Sequence, residues 1–72
     1  MQIHVFKTDL KSLQAVNTIA PILDLHPQIL SWNVDTEDID NVLRIEGEYD
    51  LKENQIIPLL FEYGVISETL NY

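Results

Sequence analysis

The sequence predicts an α+β domain of the ferredoxin-like type: a βαββαβ sandwich whose four-stranded antiparallel sheet carries two helices on one face. Three observations lead there. Residues 29–35 and 42–49 alternate apolar and polar side chains, the period of half-buried strands. Residues 12–25 and 51–63 carry apolar side chains at helical spacing. Short β-rich runs open and close the chain at 2–8 and 65–71. Two strand–helix–strand halves with right-handed crossovers bring both helices to the same face of the sheet.

Each element has its own warrant. The first strand, 2–8, is rich in β-branched and aromatic residues, and either Ile3 and Val5 or His4 and Phe6 can face inward. Ser12 is a good cap for the first helix, because its hydroxyl can accept an orphan backbone N–H. Val16, Ile19, Ala20 and Leu23 make its buried face. Pro21 removes one backbone donor and is expected to kink the last turns. His26-Pro27 ends the helix, since a residue before proline avoids the α region. In the second strand Leu30, Trp32 and Val34 are expected inward, with Ser31, Asn33 and Asp35 outward; an acidic turn, 36–41, follows. In the third, Leu43 and Ile45 point inward and Arg44, Glu46 and Glu48 outward, so the two runs pair as a hairpin with one wet face. Asp50 and Glu53 have capping-box spacing ahead of the second helix, which is expected to bury Ile56, Ile57, Leu60 and Phe61 across an internal Pro58. Gly64 supplies a left-handed stop.

Size and charge bound the function. Seventy-two residues form one domain, 1–72, which buries only about 60% of the surface of its unfolded chain. With no cysteine there is no disulfide, thiolate ligand or redox thiol. Residues 1–23 hold Lys7, Lys11 and Asp9, net +1; residues 24–72 hold eleven acids against Arg44 and Lys52, net −9. The resulting −8 repels phosphate backbones and anionic membrane surfaces, so neither nucleic acid nor membrane is an expected partner, whereas a basic protein would be attracted. Acidity also serves solubility alone. No apolar stretch approaches the roughly 20 residues of a membrane span, and the N-terminus lacks the pattern of a signal peptide. The expectation is a soluble, cytoplasmic protein.

The pattern His4-x-Phe6-x-Thr8-Asp9-Leu10-x-Ser12-x-x-Ala15-Val16 resembles the opening of heavy-metal-associated domains of the copper-chaperone type. In that family a strand bearing phenylalanine leads to a buried methionine, then to Cys-x-x-Cys-Val at the start of the first helix. Here Leu10 stands at the methionine, and Ser12 and Ala15 stand at the cysteines. Further matches are Trp32-Asn33-Val34-Asp35, Val42-Leu43-Arg44-Ile45-Glu46-Gly47 and Tyr63-Gly64, so the likeness spans nearly the whole chain. It implies the ferredoxin-like fold and a loop that docks to partner proteins, formed here by Lys11, Ser12, Leu13 and Gln14. It does not carry copper over. Copper(I) favours soft ligands, serine oxygen is hard, and alanine offers no donor atom. The family often places lysine, tyrosine or phenylalanine after the glycine that ends the second helix, and Val65 stands there instead.

Other constellations are sparse. His4 and His26 are the only histidines; imidazole with carboxylate suits zinc or nickel, but the fold should hold them apart. The run Asp35–Asp40 fails the EF-hand pattern, because Ile39 and Asp40 fall where an oxygen ligand and glycine belong; a loose calcium site and a plain solvated turn are the two readings. No nucleophile elbow or glycine-rich phosphate loop is present, so no catalytic residue, enzyme activity or cofactor is expected. Trp32 is assigned to the core, and Tyr49, Tyr63 and Tyr72 to the surface. Three functions stay open: a non-catalytic protein-interaction module, a weak zinc or nickel binder using histidine and carboxylate, and a small-molecule-sensing module acting as a dimer.

Overall fold

The computed structural model describes residues 2–70. Its elements are β1 (Gln2–Thr8), α1 (Leu13–Asp24), β2 (Ile29–Asp35), β3 (Val42–Gly47), α2 (Glu53–Glu62) and β4 (Ser67–Thr69). All pairings are antiparallel and the strand order is β2-β3-β1-β4, the sheet expected from the sequence. The register decides which face of β1 is buried. His4 pairs with Ile45 and Phe6 with Leu43, and directly opposed residues share a face. His4, Phe6 and Thr8 therefore point into the core with Leu43 and Ile45, while Ile3 is exposed on the other face.

Ser12 caps α1 as expected: its hydroxyl accepts the Ala15 N–H at 3.1 Å. The helix runs through Pro21 to Asp24, burying Ile19 and Leu23. Two inward assignments are corrected. Leu30 is exposed, because a β-bulge between Ile29 and Ser31 inserts one residue and hands the core position to Ile29. Trp32 and Val34 stay on the core side but are only half-buried, and the Trp32 indole N–H donates to Asp24 Oδ1 at 2.8 Å. Phe61 is also exposed. At about 100° per residue it sits roughly 120° round from the buried seam of Ile56 and Leu60, with Ile57 on the flank.

The start of α2 differs from expectation as well. Asp50 does not cap it; the Asp50 carboxylate instead accepts from the Gln28 side-chain amide at 2.9 Å. The helix begins after Lys52, whose backbone N–H is taken by Gln55 Oε1 at 2.8 Å. β3 stops at Gly47 because the Glu48 N–H turns to the Gln28 carbonyl, 2.8 Å away. Leu51 then folds over Gly47 and is fully buried, and a Cβ on Gly47 would run into its side chain. Gly64 adopts φ +82, the left-handed stop that was expected. β4 is shorter than the run 65–71, and Asn71 and Tyr72 lie outside the described residues. No helix of the described residues is long and apolar enough to cross a membrane.

Candidate functional site

Three loops meet at one end of the sheet: the β1–α1 loop, the β2–β3 turn and the α2–β4 connection. Two residues tie them together. The Thr8 N–H donates to the Asp40 carbonyl at 3.0 Å, and the Thr8 hydroxyl donates to the Asn41 carbonyl. The same hydroxyl accepts the Leu10 N–H at 3.2 Å. Asp9 clasps the α2–β4 connection twice: its N–H donates to the Ile66 carbonyl at 3.2 Å and its carboxylate accepts the Ile66 N–H at 3.0 Å. Thr8 is itself buried, so the clasp belongs to the core edge.

Lys11, Ser12, Leu13 and Gln14 are all exposed on this end, while Ala15 packs partly against the core. Leu10 is buried beneath the loop. The exposed apolar side chains are not confined to the expected loop. Leu13 is 73% exposed, Ile39 in the β2–β3 turn 93% and Ile66 after α2 64%. The start of α1, the β2–β3 turn and the α2–β4 connection thus each present one bare aliphatic side chain to water. Sequence reasoning singled out Leu13 alone. Ile39 carried a signal, an isolated apolar residue between acids; Ile66 carried none, because in a run expected to be strand it could face either way.

Positions 12 and 15, which the resemblance sets at the metal cysteines, do not fit copper. The Ser12 hydroxyl is hard, neutral and already occupied by the Ala15 N–H, and the Ala15 methyl has no donor atom. The acidic turn uses its carboxylates on its own backbone: Asp35 Oδ1 accepts from the N–H groups of Glu37 and Asp38, and Asp38 Oδ1 accepts from Asp40. Among the described residues no three His, Asp or Glu side chains cluster as a metal site. His26 Nδ1 accepts the Gln28 N–H at 3.1 Å, whereas His4 sits inside the core against Leu51 and Glu53, so the two histidines serve different neighbours.

No family model matches the sequence, and no curated protein does. Solved structures do. A chain from work on crosstalk between Cu(I) and Zn(II) homeostasis superposes with a TM-score of 0.82 at 10% identity, over 97% of this chain and 100% of that one. A chain of the Atx1–Cu(I)–Ccc2a complex, solved in solution, also reaches 0.82, at 14% identity over 99% of this chain and 97% of that one. The chain has the fold of that complex's component. At these identities the likeness speaks for backbone architecture, and the side chains at the loop end have to be read for themselves.

Proposed function

We propose that this chain is a non-catalytic protein-interaction module: a heavy-metal-associated-like domain of the copper-chaperone type without the metal cysteines, docking a basic protein partner in the cytoplasm through its loop end. The observation that carries this reading is the trio Leu13, Ile39 and Ile66, three exposed aliphatic side chains at the end of the sheet where Thr8 and Asp9 lock the loops together. A preorganised apolar patch loses little conformational freedom on binding. Lys11, Ser12 and Gln14 frame it, and Asp35, Glu37, Asp38 and Asp40 rim it with negative charge, which suits a positively charged surface. The similarity to a component of a two-protein complex adds support for a protein partner.

The test is a photo-crosslinking residue placed at position 13 in the full chain, with Leu25 at the far end as control. Crosslinked proteins are identified by mass, purified and titrated against wild type and Leu13→Asp. The expected result is a partner with a basic docking face whose affinity falls at least tenfold in the variant, as for a modest hot spot of about 2 kcal/mol. Added salt should weaken it further. Unchanged binding by a folded Leu13→Asp chain would remove the loop end from the proposal.

A further inference from the structure

We propose a second site, independent of the docking end: His4 and Glu53 form a weak, exchangeable site for a borderline divalent cation, zinc or nickel, in the opposite half of the molecule. His4 is only 7% exposed. Its Nε2 lies 3.0 Å from the Leu51 carbonyl oxygen. A carbonyl can only accept, so Nε2 carries a proton, and in the neutral imidazole, the form that ligates metal, Nδ1 presents a lone pair. That Nδ1 is buried and has no hydrogen-bond partner among the described residues. Facing it at 3.7 Å is Glu53 Oε1, another acceptor. Two acceptors opposed across such a gap repel unless a cation or a donor lies between them.

The surroundings match those of a metal-ligating pair. A histidine that binds metal typically donates its other ring N–H to a backbone carbonyl or a carboxylate, which sets the tautomer and aims the free nitrogen; Leu51 performs that role here. Ligating carboxylates are hydrogen-bonded in turn, and Glu53 Oε2 accepts from the Thr69 hydroxyl at 3.3 Å, leaving Oε1 directed at His4. Two ligands each about 2.0–2.1 Å from zinc at a tetrahedral angle stand about 3.4 Å apart, so a small shift of Glu53 closes the gap. Glu53 is the first residue of α2 and half-exposed, free to swing out and admit an ion. The pair opens on a hollow of ≈ 490 Å³ lined by Gln2, His4, Lys52, Glu53 and Asn54, where water can complete the coordination. With two protein ligands the affinity is modest. Lys52 lines the same hollow, and its positive charge lowers the affinity further.

The test is a titration of the untagged full chain with zinc chloride and nickel chloride, followed by NMR and calorimetry, with magnesium chloride as the hard-cation control. One saturable equivalent of zinc or nickel, with shifts centred on His4 and Glu53 and none from magnesium, is the expected result. Glu53→Gln should weaken binding about tenfold or more, given that loss of an outer-shell partner alone costs 10–100-fold. Lys52→Gln should tighten it, and His26→Gln should leave it unchanged. Because Glu53 and Lys52 are exposed, these variants remain informative where the buried His4→Gln fails to fold. No saturable shift, binding that follows His26, or binding untouched by Glu53→Gln would overturn the site. None of these outcomes bears on the docking end, which the Leu13→Asp measurement tests alone.

Discussion

Among the described residues, the two ends of the molecule leave different buried polar atoms without a partner: a serine hydroxyl at one, an imidazole nitrogen facing a carboxylate at the other. At the loop end Ser12 caps Ala15, Asp9 holds Ile66 and Thr8 holds Asn41, the Ser67 hydroxyl is buried without a partner, and Leu13, Ile39 and Ile66 stand in water among charged and polar side chains. In the half around Gly47 and Leu51 an imidazole is buried with one nitrogen unsatisfied, and a carboxylate stands beside it. The contrast teaches where to look for chemistry in a chain that offers copper(I) no soft ligand at positions 12 and 15. A polar atom already engaged by the backbone is a structural device. A buried one without a partner costs stability, and such a cost calls for an explanation.

Installing the cysteines that the resemblance sets at positions 12 and 15 gives the largest expected effect. The double substitution Ser12→Cys, Ala15→Cys should bring copper(I) affinity into the nanomolar range, about 12 kcal/mol of binding free energy, in competition with a chromophoric chelator. The wild type should not compete. Failure of a folded, reduced double variant would mean that the loop itself, and not only its side chains, has left the metal-binding geometry.

The core beneath both ends should respond without distinction. Leu43→Ala deletes a fully buried side chain from the middle of the sheet and should cost about 2–5 kcal/mol, read as a lower denaturant midpoint. Gly47→Ala separates the ends. A methyl there pushes on Leu51, whose carbonyl holds His4, so it should cost about 1–3 kcal/mol and weaken zinc or nickel binding while leaving partner capture unchanged. Ser12→Ala should cost about 1 kcal/mol through loss of the α1 cap. Smallest in stability, Leu13→Asp should stay within about 0.5 kcal/mol of wild type yet lose its partner, the signature of a side chain left mostly in water by its own fold.

How much was legible in the sequence divides along the same physical line. Ser12 as a cap and Gly64 as a left-handed stop were readable because each acts on backbone within a few residues. The same is true of the hairpin formed by 29–35 and 42–47, whose alternation is a local period. Leu30 was misplaced because alternation assumes unbroken pairing, and the bulge beside Ile29 shifts the phase by one residue. Phe61 was misplaced because an apolar residue one step past Leu60 looks like core until the helix face is known. The Asp50–Glu53 spacing mimicked a cap that Lys52 and Gln55 actually provide.

The sequence by itself determined the order of elements, the cap of α1, the stop after α2, and the absence of any soft ligand for copper(I) at positions 12 and 15. Only the tertiary structure decided which face of β1 is buried. It alone gathered Leu13, Ile39 and Ile66 at one end, and it alone set the Nδ1 of His4 against a carboxylate 49 positions along the chain. The reason is range. Capping and turn preferences work through backbone hydrogen bonds between near neighbours, whereas these juxtapositions follow from strand register, which pairs His4 with Ile45 and Thr8 with Ser67 and is settled only when the whole sheet closes over its core.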